Sequence, residues 1–407
     1  MKIVTGPAAN SSAMDAFARG KVIFEPHVSK DELSGSTLGR VTSSRSQSAA
    51  EPNRVDQQDP LFSLYTKREY FTQLTKEVHS TKKGDRVLVE AMGFDPDEQP
   101  IKALVEALLA AAKRGVSVTL NFDAIVFMLL GKVRPGPLWY HDDFPRRLDR
   151  ASAQRLEIIK KLRAVGVVVG ITNQPHQAHS KPVAGRSHIK AAIVNDKVYI
   201  GGCNLNDPDE IDLMTAWHDR STADWLHTLL QEVGKTQQTS AVFHGVDQQY
   251  QVDDRSTIFI DAGAPKQSII LEQALALIDS AKDWLFVTCQ YFPHSATAQH
   301  LAAAARRGVK VELAFNRPSK HGILAPAHQA VIWREHFRQL PKSFFAGQLP
   351  RSSNYIHAKL IACDQGALLG SHNYVSQGVN FGTAEIALLR HDASYARRAY
   401  EKLTIQI

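Results

Sequence analysis

The sequence predicts an α/β protein in which one unit of alternating helices and strands occurs twice. Two features of the chain indicate the duplication. A helix-to-strand junction is repeated almost letter for letter, as AAAKRGVSVTL in the first half and AAAARRGVKVEL in the second. Each half also ends in a longer segment with the same pattern of polar residues. A duplicated domain with a mixed sheet in each copy is the simplest account of this internal similarity.

The elements of the first repeat follow from the spacing of its apolar residues. Between Leu61 and Val78 these residues recur at helical intervals, which predicts a helix with one buried stripe. A strand is predicted over 87–94, followed by a helix that begins at Ile101 and ends before Gly115. The alternation in VSVTLNF then predicts a strand over 116–122.

The second repeat has the same order of elements. A helix is predicted over about 266–281, and the apolar run WLFVTCQYF predicts a strand over 284–292. A second helix is predicted from about Ser295 to Gly308, and a strand over 309–315 follows it.

The pattern is interrupted over residues 234–249, which places a domain boundary there. We predict a first domain over 61–240 and a second domain over 241–407. Residues 29–60 are rich in Ser, Asp, Gln and Arg and contain few large apolar side chains. Because such a stretch cannot bury enough surface to offset its ordering entropy, we predict a partly disordered N-terminal arm over 1–60.

Composition narrows the class of protein and of partner. The chain has 407 residues, 43% of them hydrophobic, which excludes collagenous, wholly disordered and disulfide-scaffold proteins. The 48 basic and 41 acidic residues give a net charge of +7, which favours phosphate-bearing partners such as nucleic acid or an anionic membrane surface. Three cysteines indicate a reducing compartment, and no apolar stretch approaches the roughly 20 residues that span a bilayer. We expect a cytoplasmic protein that is not integral to the membrane.

The segments that end each half contain the residues suited to chemistry. They read SHIKAAIVNDKVYIGGCN and IHAKLIACDQGALLGSHN, with His, Lys and the final Asn at the same spacing in both. In a strand, side chains at i and i+2 share a face, so His188 and Lys190 can point into one pocket, as can His357 and Lys359. A Gly-containing turn then brings the Asn side chain and backbone N–H groups to that pocket. Such a set suits a phosphate ester, and two copies place two histidines around one phosphate.

These paired segments resemble the HKD motifs of the phospholipase D superfamily. The tandem arrangement, the junction sequences and the chain length are most similar to bacterial cardiolipin synthases that lack transmembrane helices. The resemblance covers residue 61 to the C-terminus. It implies two tandem phospholipase D-like domains, each an αβα sandwich with a mixed sheet, related by a pseudo-twofold axis.

The resemblance also implies a mechanism that needs neither metal nor cofactor. His188 is expected to attack phosphorus and form a phosphohistidine, while His357 protonates the leaving alcohol and then deprotonates the acceptor. Lysines and asparagines are expected to hold the phosphoryl oxygens, and the turn residues to bind the phosphate beside them. The residues that the resemblance assigns in this way, together with the acid of the second motif, are Lys190, Lys359, Asn204, Asn373, Ser371, Gly202 and Asp364.

Each nucleophilic or acidic imidazole needs an acceptor that fixes its tautomer. The second half offers Glu385, in the place that is usual for the family. The first half offers Asp212, just before an apolar strand. We expect both to be orienting acids, with Asp212 acting on His188.

The first motif departs from the family at one position. It has Asn195 where the family has Asp, and Asp196 follows it. Since a slip of one residue turns a strand side chain to the other face, two interpretations stay open. Either Asp196 recovers the role through a bulge, or the first half lacks one carboxylate.

The first half is longer than the second between the junction and the motif, and much of the extra length falls within residues 124–150. This segment combines an apolar run with Trp139 and several cations. One hypothesis is a loop that enters an anionic lipid surface, with Phe127 among its apolar contacts. The other is a core helix followed by a surface loop. Cysteines within the motifs are expected to be buried hydrophobes, and the histidines over 176–188 form no familiar metal-ligand spacing.

Three functions are compatible with these observations. The first is phosphatidyl transfer at a membrane, with phosphatidylglycerol as donor and acceptor giving cardiolipin, or with water as acceptor giving a phospholipase D. The second is a nuclease or nucleic-acid phosphodiesterase of the same superfamily. The third treats Asn195 as a sign of decay and the protein as a lipid- or phosphate-binding module.

Overall fold

The computed structural model describes residues 62–129, 140–141, 144–145, 150–173, 185–291, 295–316, 355–375, 379–380 and 382–407. All of these residues belong to one compact unit. The predicted N-terminal arm lies outside the described residues, as do Trp139 and the histidines at 176 and 179.

The first half forms a mixed sheet of seven strands. In chain order these are β1 (Ser63–Thr66), β2 (Arg86–Ala91), β3 (Ser117–Asp123), β6 (Val168–Thr172), β7 (Ala191–Val194), β8 (Lys197–Gly201) and β9 (Leu213–His218), with β4 (Tyr140–His141) and β5 (Phe144–Pro145) forming a separate short pair. The spatial order is β1-β9-β8-β7-β2-β3-β6, in which β2, β3 and β6 are parallel.

The second half forms another mixed sheet of seven strands. They are β10 (Gln248–Asp253), β11 (Ser256–Ala262), β12 (Trp284–Cys289), β13 (Lys310–Phe315), β14 (Leu360–Cys363), β15 (Gly366–Gly370) and β16 (Ala384–Arg390). The spatial order is β10-β11-β16-β15-β14-β12-β13, and only β12 and β13 are parallel. The strand that follows each histidine-lysine motif, β7 or β14, therefore lies in the interior of its sheet.

Helices cover these sheets. In chain order they are α1 (Lys67–Ser80), α2 (Ile101–Lys113), α3 (Val126–Leu129), α4 (Arg150–Ala164), α5 (Arg220–Thr236), α6 (Thr239–Phe243), α7 (Ile269–Ser280), α8 (Ala296–Arg306) and α9 (Ala393–Thr404). Among the described residues, none of the helices combines the length and apolar character needed to cross a bilayer.

Three apolar clusters set the order of the layers. The first packs α1, α2 and α4 on one face of the first sheet and includes Leu108. The third packs α7 and α8 on one face of the second sheet and includes Leu301. The second contains residues of both sheets and of α5 and α9, among them Trp217 and Ile386. Because each large apolar side chain buried in this shared core contributes about 1.5–3 kcal/mol, the two halves stabilise one another.

The α/β class and the two mixed sheets confirm the predicted fold. One predicted element is wrong, because the single helix expected from Leu61 to Val78 is a strand, β1, followed by α1. Thr66 ends the strand with a capping box: its hydroxyl accepts the Glu69 N–H, and its own N–H donates to the Glu69 carboxylate at 2.8 Å. The division at 240/241 stays a prediction, and it falls between the last strand of the first sheet and the first strand of the second.

The hypothesis of a lipid-entering loop has to be corrected at its first residues. Phe127 is buried, packs near Phe122 and lies beneath the Arg155 guanidinium. Phe127 is a core residue because it packs beneath Arg155 of α4, and its buried ring cannot contact a membrane. The cations over 132–147 that were expected to contact lipid lie outside the described residues.

Candidate active site

Two buried histidine–carboxylate pairs lie at the junction of the two sheets, and each pair joins one half to the other. His188 Nδ1 is 2.7 Å from Glu385 Oε2, and His357 Nδ1 is 2.7 Å from Asp212 Oδ2. The expectation that Asp212 orients His188 is therefore wrong. The carboxylates are exchanged, so each histidine is oriented by the other half of the chain.

The backbone explains the exchange. The N–H of His188 donates to Ala384 O at 2.8 Å, and Ser187 and Ala384 form an isolated parallel bridge. In the same way the N–H of His357 donates to Ile211 O at 2.8 Å, beside a bridge between Ile211 and Ile356. Each histidine is thus joined to the residue that precedes the partner carboxylate, which brings that carboxylate to its ring.

Both lysines of the motifs are completely buried. The Lys190 ammonium donates to His188 O at 2.8 Å, and the Lys359 ammonium donates to His357 O. Burial, with the neighbouring Lys359 charge, lowers the pKa of Lys190 to about 7, and burial lowers the pKa of Lys359 as well. Because the Lys359 charge lowers the pKa of buried Lys190, it is costly to keep both lysines protonated, and a bound anionic ligand would relieve that cost.

Burial also keeps the two imidazoles neutral. It lowers the pKa of His188 well below its usual value, with the Lys190 and Lys359 charges acting in the same direction. Burial and Lys359 lower the pKa of His357 to about 4, against the opposing effect of Asp212. A neutral imidazole that donates Nδ1–H to a carboxylate leaves its Nε2 lone pair free, which is the state that a nucleophile or a base requires.

The two carboxylates are not equivalent. Burial raises the pKa of Glu385 to about 7, although His372 and Lys190 oppose the shift. Burial also acts to raise the pKa of Asp212, but its hydrogen bond to His357 and the charge of Lys359 bring it below the ordinary value. The His188 pair therefore takes up a proton more readily than the ionised Asp212 does.

We expect the activity to fall as the pH decreases through about 7, because of the His188–Glu385 pair. A proton on Glu385 removes the anion that accepts Nδ1–H, and a proton on His188 Nε2 removes the lone pair that a nucleophile needs, so we expect either form to be inactive. The rate of the first chemical step, measured between pH 5 and 9 with a p-nitrophenyl ester that needs no proton from His357, tests this with the wild type and with Glu385→Gln. A wild-type profile that rises toward low pH would contradict it.

The turn residues support these carboxylates. A Cβ at Gly202 would overlap the Asp212 carboxylate, so only glycine fits there. At the matching place in the second half, the Ser371 hydroxyl donates to Glu385 and accepts the Ile386 N–H at 3.0 Å. Both residues had been expected to bind phosphate, and the structure places them behind the carboxylates.

The two motif asparagines differ in their present partners. Asn204 Oδ1 accepts the Gly93 N–H at 3.0 Å, which holds the turn against the loop that follows β2. Asn373 Oδ1 is buried and, within the described part of the chain, has no hydrogen-bond partner. The unpaired atom is an acceptor and cannot bind a phosphoryl oxygen, so the phosphate contact expected of Asn373 falls to its Nδ2 donor.

The residue that follows His and Lys in the motif, Asp364 in the second half and Asn195 in the first, has a structural role in both halves. Asp364 lies in the turn between β14 and β15, at the opposite end of β14 from His357, and accepts the N–H groups of Lys282 and Asp283 at 3.1 Å. Asn195 lies in the matching turn, where its side-chain oxygen accepts the Arg86 N–H at 3.2 Å. The catalytic role expected of Asp364 is therefore corrected: its side chain caps the start of β12.

The same turn resolves the departure in the first motif. Asn195 has φ = 56°, a left-handed conformation in which asparagine is enriched. Asp196 points outward, 3.2 Å from the exposed His218, and is not part of the site. The interpretation in which Asp196 recovers the role through a bulge is therefore wrong, and the first half does lack a carboxylate at this position. The position requires an oxygen that caps a strand and not a catalytic carboxylate.

We expect Asp364→Asn and Asn195→Asp to change turnover per folded molecule by less than about twofold, because each substitution retains the capping oxygen. Asp364→Ala removes it and should lower the free energy of unfolding by about 1 kcal/mol, the usual net contribution of a hydrogen bond. Thermal unfolding and initial rates measure the two effects separately. A tenfold loss of turnover in folded Asp364→Asn would restore the catalytic role.

The sequence patterns missed two further residues that fix the histidine strands. Asp123 Oδ2 accepts the Ser187 N–H at 2.8 Å, one residue before His188. Asn316 Oδ1 accepts the Ile356 N–H at 2.8 Å, one residue before His357. Asp123 is the last residue of β3 and Asn316 directly follows the matching strand β13, so the repeat itself was the signal that could have identified them.

Within the described ranges, His, Cys, Asp and Glu side chains form no cluster of three that could bind a metal ion. The three cysteines are buried, and burial raises the pKa of the Cys289 thiol to about 12, in keeping with their expected role as small hydrophobes.

Comparison with known proteins agrees with this geometry. Residues 274–403 match the family model described as "Cardiolipin synthase, PLD-like domain". The chain is similar in structure to phosphatidylserine synthase from Haemophilus influenzae Rd KW20, with a TM-score of 0.63 and 15% identity over 85% of each chain. It is also similar to polyphosphate kinase from Porphyromonas gingivalis, with a TM-score of 0.51 and 11% identity over 85% of this chain and 47% of the other. No curated protein matches the sequence.

At these identities the structural likeness shows the fold alone. The segment matched by the family model is about a third of the chain and contains the whole second motif, from His357 to Asn373, and Glu385. The match confirms the resemblance to the phospholipase D superfamily for residues 274–403, which are similar to a PLD-like domain.

Proposed function

We propose that the protein is a phosphatidyltransferase that works through a phosphohistidine. The observation that supports this best is the exchange of carboxylates between the halves, which gives two oriented imidazoles in one buried, lysine-lined centre. Two histidines arranged in this way can supply one nucleophile and one acid for the same ester. A binding module would have no need of two imidazoles with fixed tautomers.

In the first step His188 Nε2 attacks phosphorus while its Nδ1–H stays hydrogen-bonded to Glu385. The phosphorus–oxygen bond to the headgroup alcohol breaks, and His357 Nε2 gives its proton to the departing oxygen. Binding of the anionic ester places negative charge near His357, which favours the protonated form that this step needs. Lys190, Lys359 and the Asn373 amide stabilise the charge that develops on the phosphoryl oxygens.

In the second step an acceptor alcohol takes the place of the first one. His357 Nε2 accepts its proton, the acceptor oxygen bonds to phosphorus, and the bond to His188 Nε2 breaks. His188 is then neutral again and His357 is protonated, so the enzyme is ready for another cycle. Asp212, which is ionised, stabilises His357 whenever its ring is protonated, before the first step and after the second.

A phospholipid is the proposed substrate, with phosphatidylglycerol as both donor and acceptor and cardiolipin as product. The description of the matching family model supports this choice, and so does the similarity in fold to a phosphatidylserine synthase. The net charge of +7 suits an anionic surface, and we place the protein in the cytoplasm, peripheral to the inner face of the membrane. The predicted domains over 61–240 and 241–407 would each contribute one histidine.

The experiment presents purified protein with phosphatidylglycerol vesicles and, separately, with labelled oligonucleotides, next to a His188→Ala control. We expect cardiolipin and free glycerol from the wild type and neither from the variant. Phosphatidic acid in place of cardiolipin would make the protein a phospholipase D, and cleaved oligonucleotide would make it a nuclease. Lipid product that persists in folded His188→Ala would contradict the assignment of the nucleophile.

A further inference from the structure

A buried polar cluster on the His357 side of the centre is not used by the two chemical steps. The Lys67 ammonium donates to Asn206 Oδ1 and to Glu210 Oε2, both at 2.6 Å. The Lys67 side chain is 1% exposed and that of Glu210 is 13% exposed, so the carboxylate is the member of the pair that reaches solvent. Among the described residues, the second oxygen of Glu210 accepts a single long bond, 3.3 Å, from the Asn206 amide.

Anchoring the loop does not by itself require this buried pair. The neighbouring residues Arg68 and Asp209 form an ion pair between the same helix and the same loop, with side chains 64% and 57% exposed. An exposed pair of this kind ties the loop to α1 without desolvating a charge. The inner pair costs more to bury, which indicates that its location beside His357 matters.

The backbone fixes that location. Glu210 directly precedes Ile211, whose carbonyl accepts the His357 N–H and whose N–H donates to Tyr355 O at 2.8 Å. The charge of Glu210 accordingly acts on His357, Lys359 and Tyr355, raising the pKa of His357 against the larger effect of burial. Glu210 therefore lies on the side of the centre where His357 meets the alcohol.

The His188 side has no carboxylate at the sequence position equivalent to Glu210, although Asp123 and Glu90 bind the neighbouring Ser187. The position two residues before Glu385, which corresponds to Glu210 two residues before Asp212, is Thr383. This asymmetry agrees with the proposed roles, because His357 acts on both the leaving and the accepting alcohol, whereas His188 bonds to phosphorus.

Resting on the proposed function, we propose that Glu210 lines the subsite for the headgroup alcohol and selects neutral alcohols that carry a second hydroxyl. Glu210 Oε1, which now accepts the long bond from Asn206, would accept a hydrogen bond from that hydroxyl while the reacting hydroxyl gives its proton to His357 Nε2. The acceptor oxygen then bonds to phosphorus as the bond to His188 Nε2 breaks. An ammonium-bearing alcohol is disfavoured, because Lys67 already balances the Glu210 charge and Lys359 is close by.

A competition between two alcohols tests this subsite. Phosphatidyl-p-nitrophenol serves as donor, because its leaving group has no second hydroxyl for Glu210 to bind. Glycerol and 1-propanol, equal in carbon number, compete as acceptors, and the ratio of the two phosphatidyl products is measured. This ratio does not depend on how much of a variant is folded. The variants are Glu210→Gln and Glu210→Ala, with Asp209→Asn as the matched control on the same loop.

We expect the wild type to favour glycerol, and both Glu210 variants to lower the glycerol-to-propanol ratio by about tenfold, the size expected for a hydrogen bond to a charged acceptor. Asp209→Asn should leave the ratio unchanged. An unchanged ratio in Glu210→Gln and Glu210→Ala, with transfer still measurable, would overturn the subsite and leave the transferase intact. Absence of transfer to either alcohol by the wild type would overturn the proposed function and the subsite with it.

Discussion

Glu385→Gln is expected to slow formation of the phosphohistidine on His188 by about 10³–10⁴-fold, although the two residues belong to different halves of the chain. Glutamine keeps the size of the side chain and loses the anion that fixes the tautomer of the imidazole at 2.7 Å. The corresponding loss of an orienting carboxylate in a Ser-His-Asp triad reduces turnover by about 10⁴-fold. The burst of p-nitrophenol from an activated phosphatidyl ester measures this first step directly.

Asp212→Asn is the matched control for that prediction, because Asp212 orients the other histidine. With an activated leaving group it should leave the rate of the burst within a few fold of the wild type and slow the steady-state rate that follows. The opposite result, a lost burst in Asp212→Asn and a normal burst in Glu385→Gln, would show that each carboxylate serves the histidine of its own half.

His357→Ala is expected to have an effect that depends on the leaving group. With phosphatidylglycerol the first step needs a proton donor, and its loss should cost about 10²–10⁴-fold. With p-nitrophenol, which leaves without protonation, intermediate formation should continue at close to the wild-type rate. The intermediate should then accumulate, since no base remains to activate the acceptor.

His188→Ala serves as the comparison for this experiment, because a missing nucleophile cannot be rescued by a better leaving group. Both variants are assayed with both esters, and thermal unfolding confirms that each is folded. Rescue of His188→Ala by p-nitrophenol, without rescue of His357→Ala, would reverse the two roles.

The fold could be predicted from the sequence because it depends on local patterns. Apolar spacing and the repeated junctions indicated β2, α2 and β3 in the first half and α7, β12, α8 and β13 in the second to within a few residues. The first helix was the exception: Leu64 and Tyr65 fit a helical stripe, yet they pair with β9. That pairing depends on a strand more than a hundred residues away, which local spacing cannot reveal.

The identities of the site residues could also be predicted from the sequence, because the motif occurs once in each half. The exchange of Glu385 and Asp212 was not accessible. Each half contains one histidine and one carboxylate, and both pairings satisfy the sequence equally well. The choice is made by the bridges that join Ser187 to Ala384 and Ile211 to Ile356, which exist only when the two sheets pack against each other.

The third motif position shows how a difference between the two motifs can mislead. Asp364 and Asn195 differ in charge, which suggested a missing catalytic group. Both cap the start of a neighbouring strand through one side-chain oxygen, so the charge is not what the position requires. Gly202 and Ser371 are also matching positions with different local requirements. There is no space for a side chain between Gly202 and Asp212, whereas the Ser371 hydroxyl donates a hydrogen bond to Glu385.

The central claim is that both halves form one site in which His188 carries the phosphatidyl group. The most direct test is to react His357→Ala with phosphatidyl-p-nitrophenol, quench it, and locate the modified residue by mass spectrometry of its peptides. The account predicts about one phosphatidyl group per chain, attached to His188. After the same reaction time, the double variant His357→Ala/Glu385→Gln should carry none. Modification at any other residue, or its persistence without Glu385, would contradict the account.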